Sequence, residues 1–169
     1  CLDKNISDAI VSASSSLLED PKLMSHFPLD VFQTGSGTSS NMNANEVIAT
    51  LASRIAGEEV NPNDHVNFGQ SSNDVIPTTI HVSAAMSSRR TLIPALEALR
   101  DEIIQKADSV KGYSKTGRTH LMDAMPIRMD QSLLSWADQI DAGISGVDRA
   151  LTYVCTLGLG GTAVGTGIN

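Results

Sequence analysis

The chain has 169 residues, enough for one domain with a real core or for parts of two. Hydrophobic residues make up 41% of it and aromatic residues only 4%, so the core must be aliphatic, which suits closely packed helices better than a β-sandwich and excludes a disordered chain. The net charge of −7 excludes an extended nucleic-acid groove or an anionic membrane surface as partner, while leaving room for a small pocket that takes an anionic metabolite.

Two cysteines, Cys1 and Cys155, make neither a disulfide framework nor an iron–sulfur ligand set and point to a reducing compartment. No apolar run approaches the length of a membrane span. The chain starts at Cys1 inside a helical pattern and ends mid-motif at Gly165-Thr-Gly-Ile-Asn169, so it reads as a piece of a longer protein.

Ile6, Ala9/Ile10, Ala13 and Leu17 recur at helical spacing and predict a helix over residues 3–19 that stops before Pro21. Ser14, Ser15 and Ser16 form its small, packable face, and His26 falls in the following loop. Next, Phe32-Gln-Thr-Gly-Ser-Gly-Thr-Ser-Ser-Asn-Met-Asn-Ala-Asn45 gathers uncharged hydrogen-bonding residues around two glycines. A helix with Val47/Ile48, Leu51/Ala52 and Ile55 follows and stops at Gly57. A Gly-rich turn opening a helix is an anion cradle, because free N–H groups and the positive dipole end point outward and Ser36 and Thr38 add donors. An ordinary capped helix start would look the same, and the phosphate-loop pattern fails for want of Gly-Lys-Ser/Thr.

Asn61-Pro-Asn-Asp-His65 is turn chemistry. Asp64 and His65 are adjacent, point apart and lack a third ligand, so no metal site is expected. Ser71 and Asp74 have capping-box spacing, and Pro77 belongs in a first helical turn, so a helix should begin near Ser72–Asp74. Leu92, Leu96, Leu99, Ile103, Ala107 and Val110 keep the periodicity to Lys111-Gly112, with a kink or division near Thr91 ahead of Pro94. His81 lies within this pattern as a structural residue.

Gly117-Arg-Thr-His-Leu-Met-Asp-Ala-Met-Pro126 sits between two long helical patterns as an irregular loop. It offers Thr116, Thr119 and His120, whose imidazole can carry a proton near neutral pH. Beyond it, Leu133, Ala137, Ile140, Ile144, Val147, Leu151 and Val154 step by heptads along roughly 33 Å of helix. Such a seam asks to be buried against other long helices, and Gly143 and Gly146 would let a neighbour approach. The tail, Leu157-Gly-Leu-Gly-Gly-Thr-Ala-Val-Gly-Thr-Gly-Ile-Asn169, only approximates a dinucleotide fingerprint and follows a helix instead of a strand.

Three segments, Gly35–Asn45, Ser71–Asn73 and Thr116–His120, are rich in neutral donors and poor in carboxylates. Gathered together, they would hold a small polyanion beside one proton-transfer group and stabilise developing negative charge. That suits elimination across a carbon–carbon bond through a carbanion delocalised onto a carboxylate.

Thr34-Gly-Ser-Gly-Thr-Ser-Ser-Asn-Met-Asn, Asn61-Pro-Asn-Asp-His-Val-Asn, Gln70-Ser-Ser-Asn-Asp, Gly117-Arg-Thr-His-Leu-x-Asp-Ala-x-Pro and Leu159-Gly-Gly-Thr-Ala-Val-Gly-Thr-Gly-Ile-Asn resemble, in order, motifs of the class II (iron-independent) fumarases of the fumarase/aspartase superfamily. The resemblance implies an all-α fold, with residues 1–72 forming part of an N-terminal lyase domain and 73–169 the opening helices of a central bundle. It also implies reversible hydration of fumarate to L-malate in the tricarboxylic acid cycle, with no metal and no cofactor. His120 would be the catalytic histidine. Ser36, Thr38, Ser71, Ser72, Asn73 and Thr119 would bind the dicarboxylate, and Asn61, Pro62, Asn63 and Asp64 would belong to a secondary anion site. The loop serine that serves as base, that loop's lysine and asparagine, and the acidic partner of the histidine would all lie further along than Asn169.

The implied partners are three further copies in a homotetramer whose active sites combine segments from three subunits, in the cytoplasm or, for a eukaryote, the mitochondrial matrix. Asn61 departs from the histidine common in fumarases and is more like the ammonia-lyases. His120 stands where aspartate ammonia-lyases resemble the family with glutamine, and an amide cannot shuttle a proton. An aspartate ammonia-lyase or other lyase of the superfamily, and a non-catalytic helical assembly module, remain the alternatives.

Overall fold

The computed structural model describes residues 1–168. Their contacts divide the chain into two compact units, Cys1–Ile80 together with the chain from Leu157, and His81–Thr156.

In the first unit, α1 (Lys4–Glu19) is capped by the Asp3 carboxylate, which accepts from the Asn5 N–H at 2.8 Å. It packs on α2 (Thr38–Ala56) through small residues: Ala9 and Ala13 meet Ala49, Ala52 and Val60, all buried, with Ile6, Ile10, Ile48 and Leu51 around them. This alanine-dense seam lets two helix backbones approach closely with few aromatic side chains to fill the gap. Gly57 ends α2 in the left-handed region at φ 73°, its N–H bonded to the Ser53 carbonyl, as the sequence leads one to expect. The stretch Pro62–Val66 forms one wide helical turn, and α3 (Ser72–Ser87) begins where the capping-box spacing places it.

In the second unit, the expected division ahead of Pro94 is a widened turn, Ser88–Leu92, from which α4 (Ile93–Ser109) continues with proline in its first turn. Arg89 reaches Asp148 at 2.7 Å and Arg100 reaches Asp141 at 2.8 Å, so α4 and α5 (Met129–Val154) run antiparallel. The heptad seam is the buried face of α5. Ala137, Ile144 and Leu151 are buried, and Ile140, Val147 and Val154 pack with Ile93 and Leu96. Within this chain, beyond α5's own residues, no atom comes within 4 Å of a Cβ built at Gly143 or Gly146.

The expected irregular loop is instead a β-hairpin. Strand β1 (Ser114–Thr119) pairs antiparallel with β2 (Met122–Arg128), the one departure from an all-α chain among the described residues. Its base is pinned to α5, where the Arg128 guanidinium forks onto buried Asp130 at 2.9 and 3.0 Å and the Arg128 N–H meets the Gln131 side chain. Beside it, Ile127, Gln131, Ser132 and Ser135 line a shallow groove with Trp136.

Candidate active site

The start of α2 is a pair of left-handed glycines, Gly35 at φ 68° and Gly37 at φ 77°. Gly37 is the N-cap and supplies no side-chain acceptor, so the N–H groups of the first turn stay free as donors. Next to them Ser36 Oγ and Thr38 Oγ1 lie 3.1 Å apart, both residues exposed. A helix start with open N–H groups and two paired hydroxyls is suited to an anion.

The start of α3 is built differently. The Ser71 N–H donates to Asp74 Oδ1 at 2.9 Å and the Asn73 N–H to Ser71 Oγ at 3.3 Å, a reciprocal capping box. A buried amide on α2 reaches across to it, Asn41 Nδ2 donating to Ser72 Oγ at 3.0 Å, and one turn on, buried Asn45 Nδ2 donates at 3.1 Å to Oδ1 of Asn67, just past the 62–66 turn. Contact between the tips is tight enough to demand glycine. A Cβ at Gly37 would sit 2.9 Å from Ile76 Cγ2. The structure thus brings Ser36, Thr38, Ser71, Ser72 and Asn73 onto two joined helix tips.

Asp74 is the one ionised group built into this junction. It is 3% exposed, and besides Ser71 it accepts from the Gly160 and Thr162 N–H groups of the glycine-rich tail at 3.0 and 2.8 Å. Burial pushes its carboxyl up, but the N–H groups of Ser71, Thr162 and Gly160 outweigh that and hold it below the usual carboxylate range. The spacing of Ser71 and Asp74 revealed the capping box, and nothing in the sequence revealed the tail contact. The buried amides were also missed, although Asn41 and Asn45 share the inward α2 face with Ala49 and Ala52 and so betray themselves by their spacing.

Thr119 and His120 belong to the hairpin of the other unit. His120 and Leu121 form its two-residue turn with φ of 50° and 60°, the left-handed pair that matches the twist of tight hairpins. Gly117 makes the bulge between Thr116 and Arg118, where a Cβ would lie 2.5 Å from the Met125 carbonyl oxygen. Arg118 and Asp123 face each other at 3.4 Å. His120 is exposed, and its ring has no hydrogen-bond partner among the described residues.

In the 61–66 turn, Asn61 Oδ1 accepts from the Asn63 and Asp64 N–H groups, and its own N–H donates to His65 Nδ1 at 3.0 Å. Asn63 and Asp64 line a cavity of about 510 Å³ with Phe68, Gly69 and Gly167. Among the described residues no three His, Cys, Asp or Glu side chains cluster as metal ligands, and no helix is long and apolar enough to cross a membrane.

Residues 2–169 match the sequence family described as Lyase. The chain is 58% identical over 168 residues to a protein named fumarate hydratase class II 2 of Pseudomonas aeruginosa, covering 99% of this chain and 36% of that one. To the fumarate hydratase class II of Halobacterium salinarum it is 50% identical over 173 residues, covering 99% and 37%. Its fold superimposes on the crystal structure of class II fumarase from Schistosoma mansoni with a TM-score of 0.90 at 39% identity, over 99% of this chain and 36% of that one. The chain therefore spans a little over a third of the length of the relatives it matches.

Proposed function

Because the chain belongs to this lyase family, matched over residues 2–169, we propose that the full-length protein carrying it is a fumarate hydratase, adding water reversibly to fumarate to give L-malate. The observation that carries the reading is the junction of two donor-rich helix tips, fastened by the bond from Asn41 to Ser72. Ser36, Thr38, Ser71, Ser72 and Asn73 there present hydroxyls, an amide and free N–H groups, chemistry fitted to the carboxylates of a small diacid.

In the dehydration direction a base takes the proton from C3 of malate, and the electron pair is delocalised onto the neighbouring carboxylate as an aci-carboxylate. That electron pair then forms the C2–C3 double bond while the C2–O bond breaks, and the hydroxyl leaves as water with a proton from an acid. The donor-rich tips favour the intermediate because its carboxylate carries more negative charge than that of malate. His120, with Thr119 beside it, is the proton-handling group of this proposal.

Residues 1–72 are read as part of the N-terminal lyase domain and 73–169 as the start of the central bundle. The working assembly is read as a homotetramer whose active sites combine segments from three subunits, in the cytoplasm or mitochondrial matrix. The second anion site implied for Asn61, Pro62, Asn63 and Asp64 has weaker support. Asn61 Oδ1 is engaged in its own turn, and Asp64 puts a carboxylate on the cavity wall.

The test is turnover by the full-length protein with fumarate, L-malate and L-aspartate side by side. Interconversion of fumarate and malate is expected. Release of ammonia from aspartate in preference would defeat the proposal, as would no turnover of any of the three.

A further inference from the structure

We propose that Asp74 is a positioning residue for the dicarboxylate-binding tip of α3, acting by clasping the glycine-rich tail to the backbone of Ser71. The inference rests on the function proposed above and extends it to a residue outside the hydroxyl and amide set. An N-terminal cap needs one acceptor, and Asp74 Oδ1 supplies it to the Ser71 N–H. Its second oxygen is surplus to capping, yet it takes two further N–H groups, from Gly160 and Thr162, more than 80 residues along the chain.

Those two donors come from a stiff body. Thr162 is buried in the left-handed region at φ 60°, and its hydroxyl lies 2.6 Å from both the Gly161 and Ile168 carbonyl oxygens. The Gly165 and Gly167 N–H groups both return to the Gly161 carbonyl. Asp74 therefore fastens a loop that is closed on itself to the turn that carries Ser71, Ser72 and Asn73. A carboxylate beside an anion-binding tip would ordinarily repel the ligand, so its presence requires a compensating role, and three N–H dipoles aimed at it offset much of its charge. Only a carboxylate fits, because an amide has a single acceptor atom and must turn an NH₂ toward at least one of the three N–H groups.

The experiment compares wild type, Ser72→Ala, Asp74→Asn and Thr162→Gly in the full-length protein, reading KM and kcat for L-malate, thermal midpoint and oligomer size. Asp74→Asn is expected to raise KM roughly tenfold, as for a disturbed buried hydrogen-bond set, with kcat changed by less than about threefold. A lowered thermal midpoint with unchanged KM would mean that Asp74 only supports the fold, and the proposal falls. Should Asp74→Asn fail to assemble, Thr162→Gly decides. Glycine accepts the left-handed backbone and removes the side chain with its hydroxyl brace, so a KM raised about threefold supports the clasp and an unchanged KM overturns it. If wild type and Ser72→Ala behave as substrate binding at the tip requires while Asp74→Asn keeps its KM, the clasp alone is lost. If wild type turns over neither malate nor fumarate, the clasp falls together with the function it rests on.

Discussion

The two helix tips and the His120 hairpin both present polar groups, and they are held in opposite ways. At the α3 tip, half-buried Ser71 and Ser72 are held from behind, the Ser72 hydroxyl by Asn41 and the Ser71 N–H by Asp74, and Ile76 presses against Gly37 of the α2 tip, where Ser36 and Thr38 pair with each other. The hairpin is almost bare. Leu121 is 97% exposed and Met125 77%, and the ribbon keeps its form through backbone devices, a left-handed turn at His120 and Leu121 and a bulge at Gly117. Damage at the tips should therefore reach binding and stability together. Damage on the hairpin should reach turnover with little cost in folding.

His120→Asn sharpens this contrast most. Asparagine tolerates the left-handed φ, so the turn survives, and kcat for malate should drop about a hundredfold or more. Stability should stay within about 0.5 kcal/mol of wild type in urea titration. A raised KM with normal kcat would instead make His120 a binding group. Gly37→Ala probes the opposite region: strain at φ 77° and the clash with Ile76 should cost about 1–3 kcal/mol and raise KM roughly tenfold, seen by denaturation and initial-rate kinetics. Loss of stability without a change in KM would separate the tip junction from binding.

Gly117→Ala, whose new Cβ meets the Met125 carbonyl, should lower kcat severalfold while leaving the global unfolding midpoint nearly in place. A large fall in the midpoint would show the ribbon to be part of the folding core. The mildest effect is in pH. The Asp74 carboxyl is lower in the folded chain than in the unfolded one, so its contribution to stability is present above the usual carboxylate range, near 4. It is lost as pH falls through the depressed folded value. Urea midpoints of wild type and Asp74→Asn should accordingly differ at neutral pH and converge in acid.

Helices were legible because their packing faces carry the period of the fold, as in the seam from Leu133 to Val154 and the Ala9, Ala13, Leu17 face of α1. The capping spacing of Ser71 and Asp74 placed the start of α3 near Ser72–Asp74, and the helix begins at Ser72. The hairpin was not legible for a physical reason. Ser114–Thr119 has no core to face and so no alternation of polar and apolar residues, and its turn is His-Leu in place of the usual Asn-Gly. Gly117, which bulges, and Pro126, which gives up a ladder hydrogen bond, were the available clues. The Asp74 clasp stayed hidden because backbone N–H groups from residues 160 and 162 leave no mark in side-chain identity. Of the site residues, five are seen on joined tips, and Thr119 and His120 sit on the ribbon.

Trp136 is the only tryptophan of the sequence, a little over half exposed, and it shares its groove with Ile127 of β2. Its indole emission is therefore an internal optical gauge for the ribbon. Any event that orders, covers or lifts β2 alters the polarity around the Trp136 indole, and its emission reports the change in real time without an attached dye.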